Sequence, residues 1–202
     1  MSDTESFFGD PDPIFADKEL LRVSHLPEGD RIIGREEELG KLANAIKDAQ
    51  RGGTPNNVLI YGKTGTGKSL CSKYITQDLT EAAGENDVNV DVAYIDCFQD
   101  STETQAVRTI AESFNDRDET GVSVPASGVS TSDYYRRLWK ILDAQLDVGI
   151  IILDEIDKLE DDNVLMQLSR AAEAGKVDDS TLGIIGISNK IRYKETLNER
   201  VK

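Results

Sequence analysis

The chain has 202 residues, with 38 Asp and Glu against 23 Lys and Arg, a formal net charge of −15, and 38% hydrophobic residues that fall in blocks. That length suits one domain with a full core and is short for two, and the apolar blocks exclude a disordered acidic chain. Acid runs through almost every segment rather than one tail, as on a surface kept soluble in concentrated salt, where screening removes self-repulsion; a salt-loving host is the resulting expectation.

Residues 1–17 are polar, carry two prolines and show no period. They read as the start of a flexible lead over 1–30, with Phe7, Phe8, Ile14 and Phe15 as its docking residues. The only histidine, His25, shows no spacing that suggests catalysis and reads as structural. The acidic N-terminus has no signal-peptide pattern and no apolar run approaches a membrane span, so a cytoplasmic protein without a membrane partner is expected. Cys71 and Cys97 lack C-x-x-C spacing and read as buried free thiols of a reducing compartment.

The segment Arg31-Ile32-Ile33-Gly34-Arg35-Glu36 leads into a helix whose apolar residues Leu39, Leu42, Ala43, Ile46 and Ala49 follow the helical period, ended by Gly52-Gly53-Thr54-Pro55. Val58 to Tyr61 is a short, uniformly apolar strand, as in a parallel sheet covered on both faces. Directly after it comes Gly62-Lys63-Thr64-Gly65-Thr66-Gly67-Lys68-Ser69, which fits G-x-x-x-x-G-K-[ST]. Glycines let successive backbone N–H groups turn toward phosphate oxygens, and the helix that follows adds its orphan donors and positive dipole end. Lys68 then supplies charge to the β and γ phosphates, and the Ser69 hydroxyl is a ligand for Mg²⁺. A glycine-rich turn that binds nothing would need neither the lysine, nor the hydroxyl, nor the apolar strand before it.

The helix from Lys68 to about Ala83 carries Leu70, Ile75 and Leu79 inward, and Val90 to Cys97 alternates as a second strand. Thr102 to Phe114 is a helix, Asn115 to Gly128 a polar loop, and Asp133 to Leu146 a helix with Tyr134, Leu138, Ile141 and Leu142 in its stripe. Ile150-Ile151-Ile152-Leu153 then ends in Asp154-Glu155-Ile156-Asp157, a central parallel strand whose acidic tip faces the ligand crevice. Beside the glycine loop, Asp154 holds Mg²⁺ through water and Glu155 is the natural base to polarise an attacking water; alone, the two acids would merely solvate a strand end. Asp161 to Ala174 is expected as a helix with Val164, Leu165, Leu168, Ala171 and Ala172 inward. Thr181 to Ser188 is the fourth strand, tipped by Asn189, which either binds the attacking water or γ phosphate or simply terminates the strand. Tyr193 to Lys202 reads as a short helix or loop.

This order of elements is that of an AAA+ ATPase core. The flanking segments, Ile14-Phe15 through Arg35-Glu36, Asp96-Cys97, Ile187-Ser188-Asn189-Lys190 and Leu197 to Lys202, resemble the archaeal replication initiators of the origin-recognition and cell-division-control type. The resemblance implies an α/β P-loop fold, a three-layer sandwich with a mainly parallel central sheet, over residues 31–202. It also implies ATP and Mg²⁺ as cofactors, Gly62 to Ser69 and Leu70 as the triphosphate cradle, Asp154 for the metal, Glu155, Asn189 and Lys68 for catalysis, and Ile33 and Arg35 at the adenine. Implied partners are ATP or ADP, double-stranded origin DNA, other initiator subunits and the replicative helicase. An origin-contacting helical element is implied within Thr102 to Leu146, where Arg108, Arg117, Arg136, Arg137 and Lys140 are candidate phosphate contacts, although no basic cluster stands out and each also fits an ordinary solvated face. Family members continue into a last core strand, a lid with a second sensor arginine and a winged helix. None is found in these 202 residues, so Val58 to Tyr61 is expected as an open sheet edge, and Arg200 stands near the family's trans-acting arginine region. Two readings remain open besides a working ATPase initiator core: a nucleotide-binding fragment without turnover or origin binding, and another AAA+ subclass of clamp-loader or transposition-helper type.

Overall fold

Four strands form one sheet in the order β1-β4-β3-β2, where β1 is Val58–Tyr61, β2 Val90–Asp96, β3 Val148–Asp154 and β4 Thr181–Ser188, and every adjacent pair is parallel. The computed structural model describes residues 32–197. The N-terminal lead with His25, Arg31 and residues 198–202 with Arg200 lie outside the described residues.

The sheet is filled from both faces, which is why its central strands are apolar throughout. All seven residues of β3 are buried, and its alternating side chains feed two separate cores. Ile150 and Ile152 pack against α1 (Glu36–Ile46) and α2 (Lys68–Gly84), together with Leu42, Ile75 and Leu79. Ile151 and Leu153 pack on the other face against α3 (Glu103–Phe114) and α5 (Thr131–Gln145), with Ile110, Phe114 and Leu142. Each such side chain contributes about 1.5–3 kcal/mol on burial. The result is the three-layer α/β sandwich anticipated from the element order. β1 is a half-buried edge strand among the described residues.

Local chemistry sets the element ends. α1 runs into a 3-10 turn, Lys47–Arg51, and stops at Gly52, whose φ of +73° a side chain would strain. α3 and α5 open on capping boxes, Thr102 with Gln105 and Ser130 with Asp133. Asp133 is therefore the third residue of α5 rather than its first, and the helix starts at Thr131.

Three expectations need correction. The polar loop after α3 contains a short helix, α4 (Arg117–Thr120), capped by the Asp116 side chain. α6 covers only Asn163–Ser169 instead of Asp161 to Ala174, because the Ala171 N–H bonds Leu168 O and tightens the chain into turns; Ala171 stays buried, but Ala172 is exposed. Leu70 does not enter the core: it stays half-buried near the start of α2, while Cys71, Ser72, Ile75, Thr76, Leu79 and Ala83 are the buried residues of that helix. After β4 comes α7 (Tyr193–Thr196). Cys71 and Cys97 are both buried and unpaired, and burial pushes the Cys97 thiol up to about 12. No helix among the described residues is long and apolar enough to cross a membrane.

Candidate nucleotide site at the strand ends

Because all four strands are parallel, their C-terminal ends share one rim, the usual ligand crevice of such sheets. The strand order then decides which tips meet. Tyr61 is in register with Ser188, and the Gly62 N–H donates to Ser188 O at 3.2 Å, so the loop after β1 begins beside the tip of β4. Asp96 pairs with Asp154 at the other end of the rim.

Within the loop, Gly65 and Gly67 adopt φ of +77° and +83°, open to glycine without strain. α2 starts from Gly67 with no side-chain cap, which leaves the donors of its first turn to a ligand. The Lys68 ammonium donates to Gly62 O at 3.0 Å, Lys63 O at 2.9 Å and Asn189 Oδ1 at 2.9 Å. Asn189 Nδ2 in turn donates to Glu155 Oε1 at 3.1 Å. One hydrogen-bonded chain thus joins the loop after β1, the tip of β4 and the tip of β3.

Glu155 is held in the left-handed region, φ +52° and ψ +41°, which for a non-glycine residue costs about 1–3 kcal/mol. Its N–H donates to Asp154 Oδ1 at 2.9 Å, and its carbonyl accepts from the Lys158 N–H at 2.8 Å. These bonds turn the Glu155 side chain toward Asn189 while Asp154 ends the strand.

A cavity of about 470 Å³ is lined by Thr64 through Leu70, by Asp154, Glu155 and Asn189, and by Tyr94, Asp96 and Phe98. A second, of about 550 Å³, shares Thr66 and Lys68 with it and is lined by Arg35, Gly62 and Cys71. Ile33 lies 83% exposed and lines neither of these two. Lys63 enters through its carbonyl, which accepts from Lys68 and from Thr66 Oγ1, while its side chain is exposed.

Three residues at this rim were given no role from sequence. Asp157, with a side chain only 4% exposed, accepts from the Ser188 hydroxyl at 2.9 Å and the Asn189 N–H at 3.3 Å, and Lys190 Nζ lies 3.5 Å from its other oxygen. Burial alone would raise its pKa, but these partners together hold it below the usual carboxylate range. Tyr94 donates its phenol to Asp154 Oδ2, and burial, followed by the bond to Asp154, raises its pKa. Asp96 caps the turn after β2, accepting from the Phe98 N–H and Gln99 Nε2, each at 2.9 Å. Two signals were readable: the acid two positions after Glu155, and Tyr94 on the same strand face as Asp96.

The donor set fits a nucleotide with a small hard cation. Ser69 and Asp154 offer a hydroxyl and a carboxylate in the same cavity, and Mg²⁺ is commonly bound by one or two carboxylates plus substrate phosphates and water. No cluster of three or more His, Cys, Asp or Glu side chains placed to hold a metal occurs among the described residues. The carboxylates of Asp96, Asp154 and Glu155 surround a cavity that Lys68 serves, so a bare polyphosphate would meet an excess of negative charge.

A separate cleft of about 620 Å³ lies at α5, lined by Arg136, Arg137 and Lys140 with Gly121, Ser123 and Asp133. Three of the candidate phosphate contacts, all carried by α5, thus line one cleft, although no basic cluster stands out in the sequence. Arg136 bonds Asp133, and Arg137 donates to the Ser123 carbonyl. Arg108 is tied to the Ala126 carbonyl at 3.0 Å instead, and neither it nor Arg117 lines this cleft.

A glycine loop at an uncapped helix, an acidic strand tip and a polar β4 tip on a parallel sheet define a P-loop protein of the AAA class, and a family described as AAA domain matches residues 50–187. ORC1-type DNA replication protein 2 of Halobacterium salinarum is 58% identical over 94% of this chain and 71% of its own length. ORC1-type DNA replication protein 4 of the same organism is also 58% identical, over 94% of this chain and 46% of its own length. Among solved structures, Aeropyrum pernix ORC1 in complex with DNA matches at TM-score 0.78 and 31% identity, over 93% of this chain and 46% of that one. An Aeropyrum pernix ORC2 structure of ADPNP-ADP complexes shares the fold at TM-score 0.73 and 22% identity, over 93% of this chain and 49% of that one. The chain belongs to the ORC1-type family of archaeal DNA replication proteins. It spans about half the length of most of these relatives.

Proposed function

We propose that this chain is the ATP-binding core of a replication initiator, binding ATP with Mg²⁺ and hydrolysing it slowly. The observation that carries this reading is the chain Lys68–Asn189–Glu155 at the mouth of the 470 Å³ cavity, because it places a phosphate-binding cation, a polar orienting group and a base within one hydrogen-bonded unit. In this reading the triphosphate lies along Gly62 to Ser69, with Lys68 at the β and γ phosphates. Ser69 and Asp154 hold the cation, which when bound neutralises charge on the phosphates. Glu155 polarises water, and Asn189 orients it against the γ phosphate. A terminal phosphate that accepts from Lys68 replaces Asn189 Oδ1 as its partner, so Asn189 is released toward the water only when that phosphate is present. The adenine falls to the neighbouring 550 Å³ cavity at Arg35, with Ile33 at its border.

The α5 cleft supports a duplex-DNA contact in the same chain. Its three cations fit backbone phosphates, which position a protein without reading sequence, and the Aeropyrum pernix ORC1 relative is a complex with DNA.

The test is ATP binding and turnover by the purified chain in concentrated salt, with Glu155→Gln alongside. Binding retained and turnover lost in the variant supports the assigned base. Binding without turnover in the unmutated chain favours the nucleotide-binding fragment instead. If ATP neither binds nor raises the melting temperature, both readings fail, since a ligand specific for the folded state must stabilise it.

A further inference from the structure

We infer that Tyr94 is a positioning residue of the cation site, holding the Asp154 carboxylate in the orientation that a nucleotide-bound Mg²⁺ needs; this rests on the reading of the cavity as a Mg²⁺-nucleotide site. Tyr94 stands on β2, whose residues Ala93 and Ile95, with Cys97 just past its end, are fully buried on the far face. Its own ring faces α2 and is 36% exposed, too open for a core aromatic. The register pairs Tyr94 with Ile152 and Asp96 with Asp154, so the long side chain reaches along the strand direction to the acid two places on.

Asp154 is held from two sides. Oδ1 accepts from the Glu155 N–H at 2.9 Å, and Oδ2 accepts from the Tyr94 hydroxyl. The carboxylate cannot rotate without breaking one of these bonds, yet each oxygen keeps a lone pair for a cation or its water. Lys73 Nζ sits 3.8 Å from the Tyr94 ring centroid, one helical turn after Ser69, so the ring is pinned from α2 as well. Ser69 and Tyr94 line the same cavity. One side chain therefore links β2, β3 and α2, and it lines the same cavity as the two groups expected to share the cation.

The chemistry of the donor matters. A lysine or arginine at position 94 would orient Asp154 equally well but neutralise it and compete with the cation. A phenol orients the carboxylate and leaves its charge intact. A tyrosine kept for packing alone would have no need of the hydroxyl, since the ring makes the Lys73 contact.

The experiment compares the unmutated chain with Tyr94→Phe, which keeps the ring and removes the hydroxyl. A fluorescent ADP analogue is titrated with Mg²⁺, and with EDTA as the cation-free arm. The half-saturating Mg²⁺ concentration is expected to rise about tenfold in Tyr94→Phe, the low end for an outer hydrogen bond to a metal ligand. Binding in EDTA and the melting temperature without ligand stay as in the parent. On an Asp154→Asn background the same substitution has no further effect, because Tyr94 acts through that carboxylate. An unchanged Mg²⁺ dependence, a persisting effect on the Asp154→Asn background, or a drop in melting temperature that accounts for the weaker binding each overturns the inference while leaving the site reading intact. If the unmutated chain binds the nucleotide with no dependence on Mg²⁺, the site reading and this inference fall together.

Discussion

Replacing Lys68 by alanine tests whether the loop is built for a ligand or for the fold. Without ligand the ammonium bonds three acceptors, the carbonyls of Gly62 and Lys63 and the Asn189 amide oxygen, all in half-buried or exposed residues where water can take its place. The unliganded protein should therefore lose less than about 1 kcal/mol. The liganded state differs. A charge-assisted hydrogen bond to phosphate is worth about 1.5–3 kcal/mol, so affinity should fall roughly 10- to 150-fold. At a nucleotide concentration 100 times the dissociation constant, binding stabilises the unmutated chain by about 2.7 kcal/mol, a shift of roughly 5–11 °C for a chain of this size. At the same concentration the variant retains only about 0.3–1.4 kcal/mol. Thermal melts with and without Mg²⁺-ATP, in concentrated salt, read both arms at once. A variant that melts far below the parent without ligand, or that keeps the full ATP-dependent shift, would refute the assignment of Lys68 to phosphate.

The buried Asp157 carboxylate has a pKa held below its ordinary value, so its stabilising contribution is complete above about pH 4 and is lost as pH falls through the lower folded value. Denaturant titrations between pH 5 and pH 2 should show Asp157→Asn less stable at pH 5 and less steeply destabilised by acid than the parent; parallel curves would remove Asp157 from the support of the Asn189 loop. For the α5 cleft, reversing Arg136 and Lys140 to Glu should weaken duplex binding across unrelated sequences. The salt dependence should flatten by roughly 0.9 in log–log slope for each phosphate that the variant no longer neutralises. An unchanged slope would place the DNA-binding face elsewhere.

Much of the site was legible because its chemistry is local in sequence. The glycine positions, Lys68 and Ser69 sit within one eight-residue stretch, and the apolar run before it can only be a strand feeding a turn. Asp154 and Glu155 were legible for the same reason, as acids ending an apolar strand. Asn189 was half legible: its place at a strand tip could be read, but its bonds to Lys68 and Glu155 depend on β4 lying between β1 and β3. Tyr94 and Asp157 gained their partners the same way, from strands 60 residues away in one case and 31 in the other. The end of α6 was misjudged because the apolar period continues through Ala171 in a turn as well as in a helix.

The sequence by itself determined which residue types stand at which strand ends, since period, glycine placement and capping act over a few residues. Only the tertiary structure decided which ends are neighbours. A parallel sheet must cross over between consecutive strands, and nothing local records whether the chain returns beside β1 or beyond β2. That order turns a loop, two acids and an amide into one hydrogen-bonded site, and it sets the Tyr94 hydroxyl against the Asp154 carboxylate.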